Sequence, residues 1–129
     1  MEIKRGMSFQ WNEGSGVCHT WFVVTHEQND KYIILNISSS AGKKFIDSTC
    51  VFKADVTKYQ KITQDSYVFY RDASIKGTLE LIDILNDESN GLNPQAPCWM
   101  IDVMASGLMK SKGASERVKS HYRTVFSQV

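Results

Sequence analysis

The first 73 residues carry the alternating apolar and polar pattern of β-strands. Val, Ile, Thr, Tyr, Phe and Trp are concentrated in short runs, and polar turn residues separate these runs. At least five strands are predicted, at residues 7–11, 20–26, 31–38, 49–53 and 66–71. The link between the second and third strands is short and polar, which favours a hairpin.

The period of the pattern changes after residue 73. A helical stripe begins behind Thr78, a candidate N-cap, and Asn90-Gly91 is the predicted stop signal. Apolar residues repeat at helical spacing again after Pro97 and after Gly113. Helices are therefore predicted near residues 78–87, 97–109 and 114–126. The sequence predicts one α+β domain over residues 1–129, with a β half at 1–73 and a helical half at 74–129.

Large side chains occupy both faces of the last predicted strand. Tyr67 and Phe69 alternate there with Val68 and Tyr70. A strand that is covered on both sides is typical of a small closed barrel, so the β half is expected to form a curved antiparallel barrel.

Composition narrows the class of protein. Hydrophobic residues make up 42% of the chain, and no apolar run approaches the roughly 20 residues that span a bilayer. A soluble domain without a membrane partner is expected. Cys18, Cys50 and Cys98 include no Cys-x-x-Cys pair, and the start of the chain lacks the apolar region of a signal peptide. These features favour a reducing, cytoplasmic location and no structural zinc.

Charge is balanced overall but uneven along the chain. The 15 Lys and Arg residues nearly cancel the 14 Asp and Glu residues. Residues 74–109 hold one basic and five acidic residues, whereas residues 110–129 hold five basic and one acidic residue. The basic tail either faces a polyanion or keeps a helix face solvated.

Few residues have the spacing of a catalytic or metal site. Cys18 and His19 are neighbours on a predicted strand and point to opposite faces, which disfavours a thiolate–imidazole pair. His19, His26 and His121 lack metal-ligand spacing, so neither a metal nor another cofactor is expected. The segment 14–16, Gly-Ser-Gly, predicts a flexible hairpin loop that can act as a lid.

The polar loop at residues 38–44 is the most suggestive segment. Its hydroxyls, its glycine and its two ammonium groups stand at the end of a predicted strand, where they suit phosphate oxygens. The candidate phosphate-binding residues are Ser38, Ser39, Lys43 and Lys44. A plain solvated loop is the alternative.

The order of these segments resembles the MazF/PemK-like toxin family. The resemblance rests on residues 4–9 (KRGMSF), a glycine-containing loop, residues 19–25 (HTWFVVT) and residues 33–39 (IILNISS). Residues 47–51 (DSTCV) and 65–73 (DSYVFYRDA) are similar to a divergent PemK-like branch. The motifs are short but extend over nearly the full chain. The resemblance implies an SH3-like barrel with appended helices, often a homodimer, that pairs with an antitoxin protein and cleaves single-stranded RNA without metal.

Two positions depart from the family pattern. His19 stands where the family has its catalytic Arg, and Ser38 stands where the family's third strand ends in Thr. A histidine retains proton transfer near neutral pH but loses the permanent bidentate charge of Arg, so Lys43 or Lys44 is expected to stabilise the phosphate. In this hypothesis His19 moves a proton, Ser38 positions the phosphate, and Ser39 and Trp21 contact the substrate.

Two other functions are left open. A non-catalytic module of the same fold would stack bases or a partner strand on exposed aromatic rings. The candidate rings are Trp11, Trp21 and Tyr32. A protein-interaction role would use an apolar stripe in the helical half, for which a place in the core is the alternative. The stripe consists of Trp99, Met100, Met104 and Met109.

Overall fold

A computed structural model describes residues 2–13 and 18–126 of the chain. Within these residues, seven strands form one sheet in which every pairing is antiparallel. The strands are β1 (Ser8–Asn12), β2 (Cys18–Val23), β3 (Lys31–Ser39), β4 (Val51–Phe52), β5 (Ser66–Val68), β6 (Ser74–Gly77) and β7 (Gly91–Asn93). The α-helices are α1 (Ala54–Thr57), α2 (Thr78–Asn86), α3 (Cys98–Leu108) and α4 (Glu116–Phe126).

The sheet is open. Its strand order is β4-β5-β3-β2-β1-β7, and β6 also pairs with β3. The first residues of β3 pair with β6, whereas its last three residues pair with β5. In the described part of the chain, the edge strands β4 and β7 do not pair with each other. The α+β class is therefore confirmed, but the prediction of a closed barrel is wrong.

Both faces of the central strands are buried, and each face packs against a different helix. On one face, which we call the α3 face, Phe22 and Leu35 pack with Met104 of α3. On the other, the α2 face, Trp21 and Ile34 pack with Leu81 of α2. Successive residues of β2 and β3 alternate between the two clusters, which explains their nearly continuous apolar sequence.

The predicted helix at 78–87 forms, but its ends differ from the prediction. Helix α2 already includes Thr78, so Gly77 rather than Thr78 is the N-cap. The backbone N–H of Gly77 donates to the Glu80 carboxylate at 3.0 Å. The helix ends at Asn86, and Gly91 begins the short strand β7 instead of ending a helix.

Tyr70 explains why the strand predicted at 66–71 is shorter than expected. Strand β5 ends at Val68, and the chain continues as a 3₁₀ turn over Tyr70–Asp72. The Tyr70 side chain is fully buried, and its hydroxyl donates to the backbone oxygen of Met104 at 2.7 Å. Burial also raises the pKa of the Tyr70 hydroxyl. The large side chain that suggested a barrel wall therefore anchors α3 to the sheet.

The helical half supplies core residues. Met100 and Met104 are fully buried, which confirms the core alternative for these two residues of the stripe. Trp99 is half-exposed, and its ring lies 6.2 Å from the Phe52 ring. Helix α4 begins at Glu116, slightly later than predicted. No helix in the described part of the chain is long and apolar enough to cross a membrane. The glycine-serine loop at 14–16 lies outside the described residues.

Candidate functional site

A row of polar and aromatic side chains crosses the sheet at one end of the α2 face. Residues paired across antiparallel strands share a face, and the register pairs Trp11 with His19 and Ser38 with Tyr67. Thr20 and Ile37 form the last pair of the β2–β3 register, so His19 and Ser38 follow directly beyond it on the two neighbouring strands. We call Trp11, His19, Ser38 and Tyr67 the polar row.

Lys43 lies over the polar row. Its Nζ donates to Ser38 Oγ at 2.6 Å and lies 3.4 Å from the Tyr67 hydroxyl oxygen. The same ammonium group lies 5.2 Å from the centroid of the Tyr67 ring, within cation–π range. A turn at Gly42, with φ of +73°, returns the chain toward the end of β3 and brings Lys43 back to Ser38. The loop at residues 38–44 therefore folds back on Ser38 through Lys43.

His19 is half-buried beside this cluster. Its Nδ1 atom is shielded from solvent and has no hydrogen-bond partner among the described residues. A carboxylate oxygen of Glu13 lies 4.0 Å from Nδ1, which is ion-pair distance when the imidazole is protonated. No hydrogen bond joins His19 to Ser38 within the part of the chain that the structure describes.

An open pocket of about 350 Å³ lies at this end of the sheet. His19 and Ser38 line it, and the segment before β5 supplies the opposite wall. The lining also includes Cys18, Thr20, Ile37 and Ser39, whose side chains alternate to the other face, whereas Lys43 and Tyr67 do not line it. Ser39 Oγ donates to Gln64 Oε1 at 2.7 Å across this wall, and Lys61 adds a cation to the lining. Sequence patterns do not single out Lys61 and Gln64, because these residues lie in a segment without strand or helix periodicity.

Two of the predicted substrate-binding residues, Lys44 and Trp21, do not line this pocket. Lys44 is exposed and makes no hydrogen bond or ion pair with any described residue. Trp21 is only 1% exposed, and its ring centroid lies 5.3 Å from that of Trp11. A base cannot stack on a ring in this position, so Trp21 acts in this structure as a core residue. Tyr32, an alternative stacking residue, is also buried.

Buried polar atoms without partners are concentrated beside the polar row. Besides His19 Nδ1, they include Trp21 Nε1 and Asn36 Oδ1, and Trp21 and Asn36 are paired across β2 and β3. The amide of Asn36 is bonded on its other side, where Nδ2 donates to Asp72 at 3.0 Å. Among the described residues, only His121 adds a fourth such atom. Each unpartnered polar atom costs about 1 to 3 kcal/mol, and such atoms call for a functional explanation.

The polar row has the groups that phosphoryl chemistry requires. An imidazole can accept or donate a proton near neutral pH. The ammonium of Lys43 can stabilise negative charge on phosphate oxygens, while the hydroxyls of Ser38 and Tyr67 can donate hydrogen bonds to them. These groups suit a reaction in which the substrate brings its own nucleophile, because none of them is activated as a nucleophile here.

Other reactive side chains do not join the polar row. Cys18 is exposed and, as the neighbour of His19 on β2, points to the opposite face. Burial raises the pKa of the Cys50 thiol to about 11, which keeps it protonated. No group of three or more His, Cys, Asp or Glu residues within 2–13 and 18–126 is placed to hold a metal ion. No protein-family model matches the sequence, and a comparison with curated proteins finds no significant match.

Proposed function

We propose that the protein is a metal-independent endoribonuclease of the MazF/PemK-like kind that cleaves single-stranded RNA. The observation that supports this most strongly is that His19 and Ser38 both line one open pocket just beyond the last β2–β3 pair, while Lys43 is hydrogen-bonded to Ser38. RNA fits such a site because its ribose 2′-hydroxyl supplies the nucleophile that the protein lacks.

In the proposed reaction, the 2′-oxygen attacks the adjacent phosphorus and the bond from phosphorus to the 5′-oxygen breaks. His19 accepts the proton of the 2′-hydroxyl, and water in the open pocket protonates the departing 5′-oxygen. Lys43 and the Ser38 hydroxyl stabilise the charge that develops on the phosphate oxygens. The products are a 2′,3′-cyclic phosphate and a free 5′-hydroxyl.

The family relationship is part of the same proposal. Strand β3 pairs with β6 at one end and β5 at the other, and this shared pairing supports an opened relative of the SH3-like barrel. A homodimer and an antitoxin partner are further parts of the proposal. The exposed side chains of Trp99 and Val103 on α3 offer apolar area for such contacts. Light scattering of the purified protein, alone and co-expressed with the product of a neighbouring reading frame, tests both.

A second function is RNA binding without cleavage. It is favoured by the histidine at the position of the family's arginine and by the absence of a hydrogen bond between His19 and Ser38 in the described chain. Such a protein would use the same pocket and loop to hold phosphates, so the two functions differ only in what happens to the RNA.

The experiment that separates them is incubation of purified protein with mixed-sequence single-stranded RNA in the presence of a chelator. We expect shorter fragments that carry 2′,3′-cyclic phosphate and 5′-hydroxyl ends. RNA that is retarded on a gel but stays intact supports the binding function instead. Cleavage that the chelator abolishes contradicts the proposed chemistry. A His19→Ala preparation purified in parallel controls for contaminating nucleases.

A further inference from the structure

A second, larger pocket lies beside the loop that joins α3 to α4. Its volume is about 650 Å³. The lining combines three cations with two phenylalanine rings and two hydroxyl side chains. These residues are Arg71, Lys110, Lys112, Phe45, Phe69, Ser48 and Thr49.

The cations of this pocket are not neutralised by the protein. Arg71, Lys110 and Lys112 are exposed, and none of them forms an ion pair with a described residue. The one acidic side chain in the lining is Asp47, whose oxygens accept hydrogen bonds from Ser111 Oγ and from Thr49. The pocket therefore has a surplus of positive charge that is free for an anionic ligand.

The loop that carries the two lysines is held in place. The backbone N–H groups of Lys110 and Ser111 both donate to the Gly107 carbonyl at the end of α3. Ser111 Oγ donates to Asp47 at 2.5 Å and accepts from the Gly113 backbone at 3.0 Å. Because these bonds fix the loop on both sides of Ser111, little ordering is needed when Lys110 and Lys112 meet a ligand.

Aromatic side chains link the larger pocket to the polar row. Phe69 lines the larger pocket, and its ring lies 6.2 Å from the ring of Tyr67 in the polar row. Phe45, which also lines the larger pocket, is 92% exposed. Phenylalanine side chains are usually buried, so this exposure is unusual. Proteins that bind single-stranded nucleic acids combine exposed aromatic rings with cations, because bases stack on the rings while the cations bind phosphates.

We propose that this basic pocket binds the phosphates of a single RNA strand, with one unpaired base stacked on Phe45, and so guides the strand into the polar row. The proposal rests on the function proposed above for its choice of RNA. It assigns substrate binding to Arg71, Lys110, Lys112 and Phe45, which lie outside the polar row.

The test is fluorescence anisotropy with a labelled 2′-O-methyl RNA strand of mixed sequence, which the proposed reaction cannot cleave. The variant Arg71→Ala/Lys110→Ala/Lys112→Ala is compared with Lys31→Ala/Arg117→Ala/Lys119→Ala, which removes the same charge from residues outside the pocket. We expect the pocket variant to bind at least about tenfold more weakly and the slope of log affinity against log salt to fall by about 2. The control variant should stay within about twofold of wild type.

Phe45 is tested separately with the same strand. Phe45→Ala should weaken binding about 5- to 150-fold, as expected for the loss of one stacked base, whereas Val56→Ala, at another exposed apolar residue, should have no effect. A duplex of the same sequence should bind more weakly than the single strand, because its bases are not free to stack. Equal binding of the duplex overturns the single-strand assignment.

The outcomes separate this proposal from the catalytic one. If the pocket variant binds like wild type, or if both charge variants weaken binding equally, the basic pocket is not the RNA site even when His19 proves catalytic. If the pocket variant loses binding while wild-type protein leaves natural RNA intact, the pocket assignment stands and the nuclease function falls. If the triple variant unfolds, the three single variants each test about a third of the change in salt slope.

Discussion

The two faces of the sheet differ in how completely helices cover them. On the α3 face, the buried hydroxyls have partners: Tyr70 donates to Met104 and Tyr59 to the carbonyl of Pro94. On the α2 face, helix α2 has nine residues and is about 13 Å long, whereas β3 has nine residues and spans about 30 Å. The short helix packs on Trp21 and Ile34, whereas His19 and Ser38 line an open pocket.

This difference shows how one sheet can be both core and site. The centre of the α3 face is closely packed and its buried tyrosine hydroxyls are hydrogen-bonded, so its residues contribute stability. The α2 face keeps unpartnered polar atoms at His19, Trp21 and Asn36, which reduces the stability that this region contributes. Changes at His19 and Ser38 should therefore alter chemistry more than folding, and changes on the α3 face should do the reverse.

The largest expected effect is at His19. His19→Ala should lower RNA cleavage by a factor on the order of 10² to 10⁴, the usual contribution of general acid–base catalysis. The side chain is half-buried and lies in an open pocket, so thermal unfolding should change little. Single-turnover cleavage is the measurement, with His26→Ala as the control because His26 is exposed and lies outside the polar row. Equal activity of the two variants removes His19 from the mechanism.

A smaller loss of activity is expected at Ser38. Ser38→Ala deletes a hydroxyl that binds Lys43 and is placed to contact the phosphate. One hydrogen bond to a charged group contributes roughly 1.5 to 3 kcal/mol, which corresponds to a loss of about 10- to 150-fold in rate. Ser40→Ala is the matched control, since Ser40 Oγ donates to the Asp65 carbonyl instead. A loss at Ser40 equal to that at Ser38 would indicate loop disruption.

On the α3 face, the sharpest test is Gly107. A Cβ atom added at Gly107 would lie 2.2 Å from the Tyr70 hydroxyl oxygen, closer than any real contact. Gly107→Ala should therefore reduce the free energy of unfolding by about 1 to 3 kcal/mol through overpacking. Chemical denaturation measures this, and Ser106→Ala, at an exposed position of the same helix, should be nearly neutral. A stable Gly107→Ala protein would mean that α3 packs less tightly than described.

The smallest effect concerns Asp47 and pH. Burial raises the pKa of Asp47, but hydrogen bonds from Ser111 and Thr49 outweigh it and hold the pKa below its ordinary value of 3.8. A lowered pKa in the folded state adds stability above about pH 4, and this stability is lost as the pH falls through the folded value. Wild type should therefore exceed Asp47→Asn in unfolding free energy by about 1 kcal/mol at pH 7, since the carboxylate is partly solvated.

Denaturation curves at pH 7 and at pH 2.5 to 3 measure this difference. The gap between wild type and Asp47→Asn should shrink on the acid side. Asp55→Asn is the control, because Asp55 is exposed on α1 and is not hydrogen-bonded to Ser111. A gap that stays constant with pH would assign the loss to changed hydrogen-bond geometry instead of charge.

Sequence patterns predicted the hairpin of β2 and β3, and this hairpin is enough to bring His19 and Ser38 to the ends of neighbouring strands. Sequence patterns did not reveal that Trp21 is buried. The alternation of residues along a strand assigns side chains to two faces, but it does not show which part of each face a helix covers. Strands β6 and β7 have only four and three residues, too few for a period to be recognised. The basic pocket was missed because Arg71 and Lys112 meet only after α3 packs on the sheet.

The central claim is that His19 and Ser38 promote cleavage of RNA in which the ribose 2′-hydroxyl of the RNA is the nucleophile. The most direct measurement uses wild-type protein and two RNA strands of one sequence, the second with 2′-deoxyribose on the 5′ side of the cleaved bond. The first strand should be cleaved there to a 2′,3′-cyclic phosphate and a 5′-hydroxyl, while the second should bind equally well and stay intact at that bond. Cleavage of both strands at the same rate, or of neither, would contradict the claim.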